Sequence, residues 1–339
     1  MLDIFNDDAF SIVSLTDAIN DISFKPGRLG ELGLFSAAGV ETLQIAIERK
    51  GDILTIVPPT PRGAPGVTMG REKRDLRTLT IPHFEINDAV YADEIQSVRA
   101  FGRSDALETV MTKVSERLIT HTDSIGITEE NARLGAVQGI ITYADGSNLN
   151  LFSEFGVTQE AEVNFDLGNA GLADGALRRK CALVTRRVAD LLGGTPFTGI
   201  HALCGDNFFD DLLQHPEVRE TYKGWSEAQV LREGYVGASK SVYGSLAFGG
   251  IVWENYRGAV GSPVGIGTDK VNLFPMGVPG LFKTAWAPAD YVETVNTVGR
   301  RLYTRQVLMP SGKGINLDTQ MNALQYCTRP QVLMKGKRG

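Results

Sequence analysis

The chain has 339 residues, of which 42% are hydrophobic and 22% are charged. This length and composition are typical of a folded protein with a sizeable core, and they exclude a wholly disordered chain. The net charge of −6 excludes a protein that wraps nucleic acid through a basic surface. No apolar run reaches about 18 residues, which excludes a transmembrane helix, and the acidic first residues predict no secretory signal. Three cysteines that are remote in sequence indicate neither a zinc site nor a disulfide framework: Cys181, Cys204 and Cys327.

The first quarter of the chain predicts an arm followed by a β ribbon. Residues 1–40 have scattered apolar positions, which indicates an arm with short ordered pieces. Between residues 41 and 88, alternation at Leu43, Ile45 and Ile47 predicts a strand, and we expect a turn at 49–52 with a return over 53–57. A proline-rich stretch interrupts the ribbon, and a strand is predicted from Leu76 to Ile81. A two-stranded ribbon is marginal alone in water, so we expect it to lean on another subunit.

The clearest helix is predicted over residues 105–121. Asp105 and Glu108 have the spacing of a capping box at its start. We expect the helix to restart or continue from Thr128 to Val137, with Gly126 as a weak point. An Asp145-Gly146 pair between two apolar runs then predicts a hairpin. The apolar stripe predicted for the first helix consists of Leu107, Val110, Met111, Val114 and Leu118.

A second amphipathic helix is predicted from about Gly175 to Leu192, where Gly193-Gly194 ends it. A buried strand over 200–204 and a short helix over 208–213 follow, and we expect a single strand from Phe248 to Tyr256, entered through Gly249-Gly250. Strands return over 302–309, 314–320 and 331–335. Because helices and strands do not alternate regularly, the pattern predicts an α+β protein. The stripe of the second helix is predicted to be Leu177, Cys181, Val184, Val188 and Leu191.

Motifs that would carry catalysis are not evident, and we predict no catalytic, cofactor-binding or metal-ligating residue. The four histidines are mutually remote and are each expected to be structural: His83, His121, His201 and His215. The stretch Gly261–Lys270 lacks the GxxxxGK[ST] spacing of a phosphate loop, so a surface loop is favoured. The carboxylates of Asp206, Asp210 and Asp211 are better explained by a cap and exposed face of a short helix that begins near Asp206 than by a carboxylate site.

One basic cluster lies on the second amphipathic helix, in an otherwise acidic chain. The favoured interpretation is the solvated face of an amphipathic helix. The alternatives left open are a subunit contact and a loose, transient contact with nucleic acid phosphate. The cluster, called the basic face below, consists of Arg178, Arg179, Lys180, Arg186 and Arg187.

Several stretches, taken in order, resemble the major capsid protein E family of tailed phages, the family that contains the phage lambda shell protein. Each stretch is weak alone, but their order and spacing cover nearly the whole chain. They are Phe10–Leu34 with Phe35, Val57-Pro58-Pro59 with Arg62-Gly63, Ile81-Pro82 with Ala92-Asp93-Glu94, Gly139–Gly146 with Glu154-Phe155-Gly156, Phe248–Ile251 with Glu254–Gly258, and finally Phe274–Pro279, Ala287–Asp290, Val295–Gly299 and Cys327–Pro330.

The resemblance implies the tailed-phage capsid fold of the Hong Kong ninety-seven type. By position, residues 1–40 become the N-terminal arm, 41–90 the extended E-loop, 91–165 and 301–339 the peripheral domain with its long spine helix, and 166–300 the axial domain. It implies a non-enzymatic protein without cofactors, made in the bacterial cytoplasm and found in the virion.

The same resemblance implies an icosahedral shell of hexamers and pentamers around double-stranded DNA. Because the arm leads directly into the E-loop, we expect scaffolding to be a separate protein, beside a portal and possible decoration proteins. Contact with packaged DNA is expected to be weak and non-specific, and no membrane partner is expected. Lys50 and Lys73 lie in the ribbon, where solubility explains them better than cross-linking.

Two alternatives of other classes stay open. One is an encapsulin-like bacterial shell protein that encloses a cargo enzyme. The other, less favoured, is a soluble hydrolase with a noncontiguous site.

Overall fold

The computed structural model describes residues 27–49, 75–95, 110–169, 173–222, 244–256 and 264–339. The helices are α1 (Arg28–Glu31), α2 (Ala92–Ile95), α3 (Val110–Gln138), α4 (Leu151–Phe155), α5 (Ala176–Leu192), α6 (Asp206–Gln214) and α7 (Pro216–Tyr222). The strands are β1 (Phe35–Gly39), β2 (Gln44–Arg49), β3 (Asp75–Thr80), β4 (His83–Tyr91), β5 (Ile140–Thr142), β6 (Asn148–Asn150), β7 (Val163–Asn164), β8 (Gly199–Cys204), β9 (Ser245–Phe248), β10 (Ile251–Asn255), β11 (Lys270–Met276), β12 (Phe282–Trp286), β13 (Tyr303–Leu308), β14 (Gly314–Cys327) and β15 (Met334–Lys337).

The chain forms two compact units. Unit 1 comprises Met1–Ile45, Thr80–Ala132 and Lys283–Gln325, and unit 2 comprises Ala46–Leu79, Arg133–Phe282 and Tyr326–Gly339. Each unit is assembled from segments that are distant in sequence. Helices and strands therefore mix without a regular βαβ alternation, which confirms the predicted α+β class.

Unit 1 is built on a five-stranded sheet in the order β1-β12-β14-β13, with β4 also paired to β14. Strand β14 is antiparallel to β4 and to β13, so Thr319 faces Ile86 on one side and Thr304 on the other. The apolar core of this unit joins α3 to the sheet. It contains Val114, Leu118, Ile125, Leu302, Ile315, Leu317, Met321 and Ala323, with Phe84, Ile86 and Trp286 packed against them.

Helix α3 is longer and less interrupted than the sequence predicts. Its 29 residues correspond to a length of about 43 Å at 1.5 Å per residue. Gly126 does not break it, so the prediction of a weak point is wrong. Val114 and Leu118 are buried as predicted, but Met111 is 44% exposed and does not belong to the stripe. The predicted capping residues Asp105 and Glu108 lie outside the described residues.

Unit 2 is built on a six-stranded mixed sheet in the order β7-β15-β11-β8-β10-β9. Strands β8 and β10 are parallel, whereas β11 runs antiparallel to both β8 and β15. An aromatic cluster of Phe165, Phe208 and Trp253 packs in this unit, with ring centroids 5.5–5.8 Å apart. The Trp253 indole donates to the Phe248 carbonyl at 3.0 Å, so its one polar atom is satisfied in the core.

Two local predictions in unit 2 are confirmed in outline. The Asp145-Gly146 hairpin forms between β5 and β6, and the Asp145 carboxylate accepts from the Ser147 amide and hydroxyl at 2.9 and 2.6 Å. Helix α5 begins after Gly175 and ends at Gly193, and its buried face is the predicted stripe with one change. Leu192 is buried in place of Leu191, because the apolar face drifts by one residue over this length.

Three strand predictions need correction. Gly249 and Gly250 have φ of 65° and 80°, so they form the turn of a β9–β10 hairpin, and not the entrance of a single strand over 248–256. Strand β14 runs through Cys327, well beyond Gln320, because it is buried along its second half. The predicted strand over 331–335 begins later, at Met334, after a 3₁₀ turn at Pro330–Val332.

The predicted ribbon is present at its base. Strands β2 and β3 form a two-stranded sheet, and the Ile81 amide donates to the Leu43 carbonyl at 3.0 Å, as in an antiparallel pair. The predicted turn at 49–52 falls almost entirely outside the described residues, as do the return strand over 53–57, Lys50 and Lys73.

Candidate functional site

The basic face on α5 is partly neutralised by acidic residues of its own unit. The Arg187 guanidinium holds the Glu160 carboxylate with two contacts, at 2.7 and 3.1 Å, and this pairing raises the pKa of Arg187. Lys180 forms an ion pair with Asp166. Both carboxylates belong to the segment 157–166. The charge available to an external phosphate is therefore smaller than the sequence suggests.

Arg178 has structural partners as well. Its guanidinium donates to the Thr221 hydroxyl at 3.1 Å and lies 5.8 Å from the centre of the Phe248 ring. At the same helix end, the Glu217 carboxylate accepts from the backbone amides of Leu177 and Arg178 at 2.9 and 3.1 Å. A carboxylate from another helix thus supplies the N-terminal cap that Gly175 cannot provide.

Arg179 and Arg186 complete the basic face. Both are exposed and have no ion pair within the described part of the chain. Two unpaired arginines on one helix are ordinary for a solvated face, which agrees with the favoured interpretation.

The histidines do not converge on a common site. Each has a different polar partner, as expected of structural histidines. His121 bonds Thr319 at 2.9 Å and Asp88 at 3.1 Å, and His201 bonds Glu254 at 3.0 Å in the unit 2 sheet. The polar partners are Asn322 and Glu85 for His83, Asp88 and Thr319 for His121, Glu254 for His201, and the Glu217 amide for His215.

The three aspartates of α6 serve different contacts. The predicted helix does begin at Asp206, but Gly205 occupies the capping position, so the expected cap by an aspartate side chain is not formed. The Asp206 carboxylate accepts from the Asn255 amide at 3.0 Å instead. Asp211 pairs with Arg338 at 3.2 Å, and Asp210 is exposed. They do not form a joint carboxylate site.

The loop that superficially resembles a phosphate loop is tied into unit 2. Its residues 261–263 lie outside the described residues. Asp269 pairs with Arg338 at 3.2 Å and accepts from Asn207 at 3.0 Å, and Lys270 pairs with Glu162 at 2.6 Å. The lysine that would approach a phosphate thus already has a carboxylate partner.

Sequence reasoning missed a carboxylate cluster on the sheet of unit 1. Glu85, Asp290 and Asp318 lie together, and the Gln320 amide bridges Asp290 at 2.6 Å and Glu85 at 3.4 Å. Burial and the neighbouring Glu85 raise the pKa of Asp318, and burial with Asp318 also raises the pKa of Tyr291. Glu85 and Gln320 face each other across β4 and β14 although 235 residues separate them. No local sequence pattern could therefore have indicated this carboxylate cluster.

Metal ligands and reactive thiols are two common kinds of catalytic group. Among them, no group of three or more His, Cys, Asp or Glu side chains is placed to hold a metal ion. Burial raises the pKa of the Cys327 thiol to about 12, and burial with the nearby Glu217 does the same for Cys181. Within these residues, no helix is both long enough and apolar enough to cross a bilayer.

Comparison with known proteins identifies the protein family to which the chain belongs. The family model described as "Phage major capsid protein E" matches residues 11–338. The chain belongs to the phage major capsid protein E family. The major capsid protein of Pseudomonas phage KPP10 is 29% identical over 97% of each chain. That of Salmonella phage Felix O1 (isolate Felix O1-VT1) is 24% identical over 96% of this chain and 95% of its own.

A solved structure supports the same fold. A prophage protein from E. coli CFT073, assigned as a capsid protein, is 15% identical and aligns with a TM-score of 0.58 over 97% of this chain and 99% of its own. The predicted tailed-phage capsid fold is therefore confirmed. The capsid protein is a structural protein of a phage virion and not an enzyme, and copies of it build the phage capsid. The family match favours this function over the encapsulin-like shell protein and over the hydrolase.

Proposed function

We propose that the capsid protein assembles as hexamers and pentamers into an icosahedral shell that encloses the double-stranded DNA of a tailed phage. The observation that carries the proposal is the ribbon base formed by β2 and β3. Leu43 beside it is 62% exposed, and on β3 Arg77, Thr78 and Thr80 are exposed, whereas Leu79 is buried. Because a two-stranded sheet is marginal alone and most of the side chains described here are exposed, contacts with neighbouring copies are expected to stabilise it.

A second feature supports contacts between copies. Val292, Val295 and Val298 are 84%, 63% and 56% exposed within one short segment of unit 1. The backbone of this segment is held by the Thr294 hydroxyl, which donates to the Ala289 carbonyl at 2.8 Å, and by the Gly299 amide, which donates to Val40 at 2.9 Å. Clustered apolar side chains on a fixed backbone are typical of surfaces that become buried on association.

The segments are proposed to have the roles that position in the family implies. Residues 1–40 act as the N-terminal arm, 41–90 as the E-loop, 91–165 with 301–339 as the peripheral domain, and 166–300 as the axial domain. Helix α3 is the spine helix of the peripheral domain in this proposal. The two compact units divide the chain at other residues, since 133–165 and 326–339 of the proposed peripheral domain belong to unit 2 and 283–300 of the proposed axial domain belong to unit 1.

The partners beyond further copies are also proposals. The shell is expected to form in the host cytoplasm with separate scaffolding and portal proteins, and possible decoration proteins add to it. Contact with packaged DNA is expected to be weak, since the net charge is −6 and the basic face is partly neutralised internally.

The test of the proposal replaces Gly51–Lys73 with a short Gly-Ser turn. Arg49 and Asp75 remain, so the ribbon base can still pair. Electron microscopy of the purified variant is expected to reveal no closed shells, while circular dichroism reports a folded subunit, because both unit cores lie outside the replaced segment.

The control replaces the same 23 residues with a Gly-Ser linker of equal length, which keeps chain length but removes the ribbon sequence. This linker is also expected to abolish shells. Closed shells of normal size from both variants would contradict the assembly role of the ribbon. Global unfolding of both would indicate that the segment belongs to the core.

A further inference from the structure

A polar tether joins the ribbon to the body of unit 2. Arg77 lies in the middle of β3, and its guanidinium Nη1 donates to the backbone carbonyls of Ser153 at 3.3 Å and Glu154 at 2.7 Å. These carbonyls lie at the end of α4, 76 and 77 residues along the chain from Arg77. The contact therefore links two elements that are close only in the fold.

The end of α4 is suited to receive a cation. The last carbonyls of a helix have no partner within the helix and favour a positive charge. Gly156 ends α4 with φ of 59°, and its amide donates back to Phe152 and Ser153. A Cβ at this position would lie 2.8 Å from Nη2 of Arg77, so the glycine also leaves the space that the guanidinium fills.

Helix α4 is a firm anchor for this contact. Leu151, Phe152 and Phe155 are all buried in unit 2. The Asn150 side chain caps the helix by accepting from the amides of Phe152 and Ser153 at 3.0 and 3.3 Å. Arg77 therefore contacts a fixed point, while on its own strand Thr78 and Thr80 are exposed and Leu79 is buried.

We propose that Arg77 is a positioning residue for capsid assembly, which holds the ribbon base at a fixed orientation to the subunit body. The inference rests on the proposed role of the ribbon as a contact between copies. A ribbon that meets a neighbouring subunit must leave its own subunit within a narrow range of directions, because the hexamers and pentamers of one shell repeat closely similar contacts many times. Two hydrogen bonds from a planar guanidinium define a direction that one apolar contact does not.

The experiment compares Arg77→Met, Arg77→Lys and the control Arg219→Ala in the full chain. Arg219 is an exposed arginine of unit 2 that lies on α7, outside the basic face, and has no ion pair within the described residues, so its loss removes a charge without a tether. In dissociated subunits, Arg77→Met is expected to keep the wild-type melting temperature while amide hydrogen exchange accelerates in β2 and β3 alone. Assembly of this variant is expected to lose most closed shells in favour of open or irregular particles.

Arg77→Lys is expected to restore part of the closed shells, because its ammonium group can donate to the same carbonyls. Arg219→Ala is expected to assemble normally. Closed shells of normal number and size from Arg77→Met would overturn the proposal, and so would global unfolding of that variant or a failure of lysine to restore any shells.

Failure of this inference is distinguishable from failure of the proposed function. If the replacement of Gly51–Lys73 abolishes shells but Arg77→Met assembles normally, only the positioning role is wrong. If the replacement leaves assembly intact, the ribbon is not the contact, whatever Arg77 does.

Discussion

Leu118→Ala and Met111→Ala form a matched pair that tests the orientation of the spine helix α3. Both changes remove three heavy atoms from a side chain with similar helix propensity, so the difference between them measures burial. Leu118 is 4% exposed and packs in the unit 1 core, whereas Met111 is 44% exposed. We expect Leu118→Ala to lower the free energy of unfolding by about 2–5 kcal/mol and Met111→Ala by less than about 1 kcal/mol.

The measurement is urea unfolding of dissociated subunits, monitored by circular dichroism. The two variants and the parent are compared with the same dependence of the free energy of unfolding on urea concentration. Dissociated subunits are needed because an exposed residue such as Met111 can gain contacts in a shell. Equal losses for the two variants, or a larger loss for Met111→Ala, would refute the helix orientation. An unchanged midpoint for Leu118→Ala would mean that the α3–sheet contact does not contribute to the core.

Three further predictions concern charges. Asp318→Asn is expected to raise the free energy of unfolding at neutral pH by less than about 1 kcal/mol, because the site is partly exposed. Since the raised pKa of Asp318 makes its charged form unfavourable in the fold, this gain should shrink as the pH falls through that pKa, and a gain that is constant with pH would contradict the prediction. Glu217→Ala should destabilise α5 by about 1 kcal/mol through loss of its cap, which thermal unfolding can measure against the exposed control Asp190→Ala. In a gel shift at physiological salt, free subunits should not bind DNA measurably; micromolar binding that disappears when the four arginines of the basic face become alanine would show a genuine nucleic-acid contact.

Local structure was predictable wherever one segment carries the whole signal. The Asp145-Gly146 turn and the two glycines at the ends of α5 act through backbone conformation, so their positions are visible in the chain itself. Met111 was assigned wrongly because its position is compatible with the apolar stripe of α3, and spacing alone cannot tell whether a neighbour covers that position.

The pairing of strands that are distant in sequence was not predictable from the local sequence pattern. Strand β14 pairs with β4 and β13 in one sheet, and nothing near residues 83–91 indicates a partner at 314–322. The carboxylate cluster and the Arg77 tether follow from such pairings, so they escaped sequence reasoning for the same reason. The family was nevertheless recognisable, because the order of many weak motifs along the chain carries information that no single motif has.

The way in which charged side chains are used supports a structural protein. Three charged or polar pairs are formed inside the subunit: Arg187 with Glu160, His201 with Glu254, and Lys270 with Glu162. A catalytic site needs such groups to converge on an accessible point with pKa values shifted for proton transfer. These three pairs lie on separate elements, and the Gln320 amide bridges two members of the carboxylate cluster, Asp290 and Glu85. The exposed surface of the described residues includes apolar valines and the ribbon base. This division suits a capsid protein, because its polar groups stabilise the subunit and leave apolar side chains and the ribbon free to form contacts with further copies.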